Sequence, residues 1–398
     1  MSSAAVNRGK LFIQNDWSKI LKDNEGRAWI SYKNIGETSI SGELRSHGLN
    51  DEGLPILTAS EGFAVSDITQ KSLELTFKDK DLKTKFTSPT ATLSSIHSKS
   101  IESLSISPGG ELGVSAGSDG LLQVWQTNNG TVRRKLEGHA GDVNTCQFFP
   151  SGVVILSGGL DTQLKIWSVE DGSCPQTMRG HEGGILGTDV IDRGRNIVSC
   201  SRDGTARLWD CGEGKCLEII FKGDGAPING CSVGVSDNSV NLGIPDKPAG
   251  EREVGTEGKL LLLAVEDGTL RGVGLRSRKE VFRVQTSSAF NCCGFVSSQK
   301  VVGGNQDGSI HLVDLRNPSS AALVIHVSAS PVLCIQPFRE GFVAGSADGS
   351  CTYFNLSSLS CVKEEFTGPD CHPIYDLSCH GNQLFTACRD GAVRRYTV

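Results

Sequence analysis

The sequence predicts an all-β chain: a seven-bladed β-propeller behind a small, mainly β N-terminal domain. Three observations carry this expectation. Glycine is abundant, at 48 of 398 residues, about 12 % against a usual level of about 7 %. Aspartates recur at a near-constant interval, six of them directly followed by glycine. A four-residue polar pattern also returns three times without a slip.

The recurring aspartates are Asp119, Asp161, Asp203, Asp267, Asp307, Asp348 and Asp390, spaced by 42, 42, 64, 40, 41 and 42 residues. Each stands between two short runs of small and β-branched residues, such as RNIVSCSRD and ARLWDC. Asp-Gly between two such runs marks a hairpin, because the turn needs positive φ and glycine supplies it without a Cβ clash. Seven hairpins at this period fit four short strands per unit, the propeller-blade repeat.

The polar pattern is His–18–Ser–4–Asp–6–Trp: His97, Ser115, Asp119, Trp125; His139, Ser157, Asp161, Trp167; His181, Ser199, Asp203, Trp209. These side chains can form one buried chain of hydrogen bonds through hydroxyl, imidazole and carboxylate, with indole N–H at its end. With Gly138-His139, Gly180-His181 and Trp209-Asp210, the pattern resembles the WD40 repeat family. In the four later units the serine position holds Leu263, Gly303, Ala344 and Thr386, and the tryptophan position Val273, Val313, Phe354 and Tyr396. Those blades are expected to rest on apolar packing alone. His326 keeps the histidine spacing, but Ala344 offers it no hydroxyl.

The remaining elements follow in order. Residues 1–80 show no such register and are assigned to the small N-terminal domain. Trp17, Ile20 and Leu21 give a short helix its apolar face, and strands are expected at Ala28–Tyr32, Ser39–Leu44, Phe63–Ile68 and Ser72–Phe77. Residues 81–398 are assigned to the propeller. Only eight residues follow Asp390, so the last blade lacks an outer strand, and a segment within Lys83–Leu93 is expected to supply it. The wide interval before Asp267 maps to residues 240–258 (VNLGIPDKPAGEREVGTEG), read as a flexible loop on the lower face, opposite the turn aspartates.

Charge and motifs exclude several function classes. Residues 1–95 carry 12 basic and 12 acidic groups, so the whole net charge of −6 lies in residues 96–398. An acidic propeller argues against nucleic acid as a partner, and Arg133-Arg134-Lys135 and Arg394-Arg395 read as solvated faces. The longest apolar run, Leu260–Val265, is too short to cross a membrane. Fourteen cysteines without a Cys-x-x-Cys, and no apolar leader after Met1, point to reduced thiols in the cytoplasm or nucleus. Gly113-Val114-Ser115-Ala116-Gly117 matches a nucleophile-elbow pattern, but Ser115 belongs to a blade strand. Cys371, His372, Cys379 and His380 lack zinc-site spacing. No catalytic, metal or cofactor site is expected.

Recognition residues belong on the loops of the upper face, where a rigid disc presents them. The residues just before the turn aspartates give Arg202, Glu266, Gln306 and Arg389. The loops leading into the inner strands give Asp142, Glu182, Asp224 and Asp370. The acidic members are favoured, because they could pair with a basic partner.

The stretches ASEGFAV (59–65), KLEGHAGDVNTCQFFPSG (135–152), DRGRNIVSCSRDGTARLWDCG (192–212), EREVGTE (251–257), AFNCCGF (289–295) and CRDGAVRRY (388–396), with QNDW (14–17), resemble the proteasomal ATPase-associated factors. The resemblance implies a WD40-repeat, non-enzymatic chaperone of 19S regulatory-particle assembly. Its implied partner is the C-terminal domain of a proteasomal ATPase subunit of the base, held so as to oppose premature docking on the core particle. It would be monomeric when free. A general WD40 adaptor in a ubiquitin-ligase or ribonucleoprotein complex is the alternative.

Overall fold

A computed structural model describes residues 4–6, 9–34, 36–237, 239–318, 321–357 and 364–398. Seven antiparallel blades succeed one another along the chain. Their inner strands are Ile101–Ile106, Val143–Phe148, Ile185–Ile191, Ile228–Val235, Phe290–Ser297, Val332–Phe338 and Ile374–His380. Each inner strand opens on a fully buried Ile, Val or Phe. In every blade the pairing then slips by one residue, a β-bulge at Glu102, Asn144, Leu186, Asn229, Asn291, Leu333 and Tyr375. A bulge bends the strand and re-aims one side chain, so each blade turns one residue toward the central channel.

The turn after each second strand uses positive φ. Gly268, for example, has φ +81°, and a Cβ there would lie 2.6 Å from the Thr286 carbonyl oxygen. Blade two is the exception: Thr162 takes this position at φ +64°. A β-branched residue in the left-handed region costs about 1–2 kcal/mol, offset in part by the greater flexibility of an unfolded glycine. Thr162→Gly is therefore expected to raise stability by about 0.5–1 kcal/mol, read as an increased urea midpoint.

The ring closes across its termini. Ala91–Leu93 pairs antiparallel with Val393–Thr397, Leu93 opposite Val393 and Ala91 opposite Arg395. Deeper in the seam, Asp376 on blade seven accepts the Ser103 hydroxyl and the Leu104 N–H, both at 2.8 Å. Ser378 accepts the Ile106 N–H at 3.1 Å. Side chains thus staple the last inner strand to the first.

The closing strand thus comes from within Lys83–Leu93, as expected, but only from its last three residues. Its first part belongs to a separate strand, Leu82–Thr87, which pairs with Ser72–Phe77 around a 3-10 turn at Lys78–Lys80, with Asp81 at φ +48°. Phe77 and Phe86 are buried in the N-terminal core with Leu73 and Leu75. Pro89 has no N–H to donate and separates this strand from the closing one. The division at residue 80 therefore cuts through a hairpin.

The same strand joins the two halves of the molecule. Lys85–Thr87 runs parallel to Glu364–Phe366, the outer strand of blade six. The sheet of blade six is thereby extended to seven strands, ending at Phe63–Ile68. The remaining N-terminal strands, Lys10–Ile13, Arg27–Lys33, Ile40–Leu49 and Pro55–Ala59, form a separate four-stranded sheet. The backbone of Ala4–Val6 pairs with the outer strand of blade five, Leu323–His326.

The insertion at 240–258 is held down rather than free. Arg252 bonds Asp210 at 3.0 Å and Glu213 at 3.1 Å. Glu253 pairs with Arg278 at 2.9 Å and accepts the Thr256 hydroxyl at 2.7 Å. Asn196 in turn donates to the Arg252 carbonyl and accepts the Val254 N–H. The composition of the segment, rich in glycine, proline and charge, hides partners that lie far away in sequence.

Candidate partner-binding face

The histidine pattern assembles as spaced. In blade three, Trp209 Nε1 donates to Ser199 Oγ at 2.8 Å. Ser199 Oγ lies 2.7 Å from His181 Nε2, and His181 Nδ1 lies 2.8 Å from Asp203. Blade two repeats it, with 2.8 Å from Trp167 to Ser157, 2.8 Å from Ser157 to His139 and 3.0 Å from His139 to Asp161. The carboxylate partner calls for a proton on Nδ1, and a neutral imidazole then accepts the serine hydroxyl at Nε2. Burial favours that form and lowers the pKa of both histidines. At Asp203, burial raises the pKa, but bonds from Thr205, the Glu182 N–H and His181 outweigh it and hold the carboxyl below its usual range.

Blade one is incomplete. Ser115 accepts from Trp125 at 3.0 Å and lies 2.8 Å from His97 Nε2. His97 Nδ1, however, stands 3.9 Å from Asp119 and has no hydrogen-bond partner. Ser115 sits within the strand Leu112–Gly117 with its hydroxyl in this chain, away from any strand-to-helix elbow.

The later blades do not rest on apolar packing alone. Four residues after the turn aspartate, Arg271 reaches Asp267 at 3.2 Å and Arg394 reaches Asp390 at 2.5 Å. An arginine from the same hairpin thus holds the aspartate where no histidine does. Blade five uses His311, 3.1 Å from Ser309, while His326 is exposed on the outer strand. In blade six the help comes from the N-terminal domain. Lys10 Nζ bonds Ser350 Oγ at 3.3 Å and Glu365 at 3.2 Å.

These networks fix the loops that carry the candidate residues. Asp203 accepts the Glu182 N–H at 2.9 Å, and Asp161 accepts the Ala140 N–H at 3.0 Å. In all seven blades the residue before the turn aspartate donates its N–H to the loop entering the inner strand. The pairs are Ser118 to Ser100, Leu160 to Asp142, Arg202 to Gly184, Glu266 to Pro227, Gln306 to Ala289, Ala347 to Pro331 and Arg389 to Pro373. The two groups of candidate residues are therefore laced together around the disc. Glu182, Arg202, Asp224, Glu266, Gln306, Asp370 and Arg389 are exposed, and Asp142 is half-buried. Asp370 differs from the others because Asn15 of the N-terminal domain donates to it at 3.4 Å.

The sequence reading missed the channel mouth. The seven bulge residues are all half-buried and line a central channel of about 590 Å3. In the first three blades they fall seventeen residues before the turn aspartate, a signal the spacing carried. Asp189 and Asp376 also line this channel. Burial, partly offset by backbone N–H bonds, pushes each up to about 6.

Cys371 and His372 lie before the last inner strand, and Cys379 and His380 at its far end. Among the described residues, no group of three or more His, Cys, Asp or Glu is placed to hold a metal ion. Cys146, Cys231, Cys292 and Cys334 occupy inner strands, and the thirteen described cysteines are free thiols.

The WD domain, G-beta repeat family matches residues 87–126, 130–168 and 172–210. Over its whole length the chain resembles curated proteins. It is 56 % identical to proteasomal ATPase-associated factor 1 of Gallus gallus and 53 % identical to that of Homo sapiens, each across 98 % of both chains. The protein of that name from Bos taurus is 55 % identical over the same share. The chain belongs to the proteasomal ATPase-associated factor family. The repeat match covers the blades that carry the histidine pattern. The other four blades of this proteasomal ATPase-associated factor family member have exchanged that pattern for arginine pairs, a blade-five histidine or a lysine from the N-terminal domain.

The histidines give stability a testable pH dependence. Their folded pKa values lie below the ordinary 6.5, so the unfolded chain takes up these protons first as pH falls. Their contribution is complete above about pH 6.5 and is lost as pH falls through the folded values. Asp189 and Asp376 act in the opposite sense. Raised from 3.8 to about 6, they contribute fully below 3.8 and lose that contribution as pH rises through about 6. Comparison with His181→Gln isolates one histidine. The stability gap between wild type and variant, from urea unfolding, should narrow between pH 7.5 and 5; a constant gap would reject the linkage.

Proposed function

We propose that this chain acts by binding, without catalysis, as a chaperone of proteasome regulatory-particle assembly. On this reading it holds the C-terminal domain of a proteasomal ATPase subunit against its upper face. The held ATPase remains an assembly intermediate and is kept from docking early on the core particle. The free protein is monomeric and works in the cytoplasm or nucleus.

The observation that carries the reading is the laced upper rim. Glu182 on blade three and Asp224 and Glu266 on blade four are exposed there, and backbone bonds keep the loops of Glu182 and Glu266 in place. A rigid acidic surface loses little conformational freedom on binding and steers a basic partner toward it. The shared name of relatives matched across 98 % of both chains supports a proteasomal ATPase as that partner.

Exposed ion pairs contribute about 0–1 kcal/mol each, so one substitution is a weak test. The combined reversal Glu182→Lys, Asp224→Lys and Glu266→Lys should slow association with the cognate isolated ATPase C-terminal domain about tenfold. The melting temperature should not fall, because none of the three carboxylates forms an ion pair among the described residues. Unchanged association with all ATPase C-terminal domains would remove the upper rim from the reading.

A further inference from the structure

Of the four residues Gln14 to Trp17, Asn15 and Trp17 join the domains, and Gln14 is held within the N-terminal one. Gln14 accepts the Trp29 N–H at 3.2 Å. Asn15 accepts the Gly368 N–H and donates to Asp370, each at 3.4 Å. Trp17, buried on the short helix, donates Nε1 to Thr367 at 3.1 Å. Asp16 stands at the start of that helix, yet its side chain caps no helical N–H. Among the described residues it accepts only the Gln14 side-chain amide, at 2.9 Å.

Asp16 and Asp370 face the same groove of about 470 Å3, formed where the N-terminal domain meets blades six and seven. Trp29 and Pro89 line it as well. The sequence has five tryptophans; four are at most 2 % exposed, while Trp29 is 51 % exposed. Two cations also border the groove. Arg394 is bound to Asp390, and Lys19 is exposed. Among the described residues neither Asp16 nor Asp370 has an ion-pair partner.

An accessible indole beside two unpaired carboxylates is the environment that recognises a cationic side chain, through the ring face and through charge-assisted bonds. We propose that this interdomain groove binds an arginine or lysine side chain presented by an extended segment of a partner protein. The site exists only when the N-terminal domain is docked, since Trp29 and Asp16 come from one domain and Asp370 from the other. This goes beyond the upper-rim reading and does not depend on it.

Because the other tryptophans are buried, acrylamide quenching reports on Trp29. N-acetyl-triarginine amide should lower the quenching constant at least twofold at saturation, while N-acetyl-tricitrulline amide, of similar shape without charge, should leave it unchanged. Asp370→Asn should raise the midpoint of the triarginine titration at least fivefold. Asp16→Asn, on the opposite wall, should do the same, and gives an independent reading if Asp370→Asn unfolds. Equal protection by both peptides, or unchanged midpoints in folded variants, would overturn the proposal.

Discussion

A chain that begins at His97 is expected to lose cooperative folding and to aggregate. It lacks Ala91–Leu93, leaving Val393–Thr397 as an unpaired edge beside the seam, and such an edge is a template for pairing between molecules. It also lacks Leu82–Thr87, which covers the outer strand of blade six. Glu364, nearly buried, then loses the Thr87 hydroxyl at 2.8 Å and Lys85 at 3.6 Å, and among the described residues keeps Arg339 at 3.2 Å. A chain beginning at Pro89 keeps the closing strand and separates the two effects. Urea unfolding followed by tryptophan emission should show a broadened, weakened transition for the longer fragment and none for the shorter. A soluble, cooperatively unfolding fragment from His97 would show that the closing strand is dispensable.

Lys10→Met is expected to be the most damaging single substitution outside the blades' own cores. Lys10 and Glu365 form an ion pair with about a tenth of each side chain exposed. Burial raises the Glu365 pKa even against the nearby ammonium. Removing one member of a buried pair leaves the other charge uncompensated, at a cost of about 3–5 kcal/mol. Replacing both is different, because an apolar pair of similar volume is often neutral or stabilising. Lys10→Met with Glu365→Leu should therefore recover most of the loss. Chemical denaturation of the two single variants and the double variant gives the coupling directly. Additive losses would show that the pair does not couple the N-terminal domain to blade six.

The propeller was legible because its signals are local. Turn aspartate, histidine, serine and tryptophan in blades two and three lie within 28 residues and meet as their spacing requires. The arginine pairs were equally local, at four residues from the turn aspartate, but fell outside the offsets the histidine pattern defines. What sequence could not carry were partners brought together from opposite ends of the chain. Lys85 meets Glu364, Lys10 meets Glu365 and Asn15 meets Asp370 across hundreds of residues, and nothing near either member marks the other. The insertion, expected as a flexible loop, hides shorter-range partners: Asp210 holds Arg252 and Arg278 holds Glu253, and neither pair has a fixed offset in the repeat. The candidate rim was located by register, whereas the channel mouth rests on a bulge whose fixed offset holds only in the first three blades.

The pairing of Ala91–Leu93 with Val393–Thr397 also sets an order of events during synthesis. The strand that shuts the ring leaves the ribosome well before its partner, because Leu93 pairs with Val393. Blades one to six can stack as they emerge, but blade seven stays one strand short until residue 397 is free. Contacts of such sequence separation form slowly, and exposed strand edges in the interval are open to misassembly. A nascent chain stalled before residue 393 has been released would therefore remain an open arc rather than a disc.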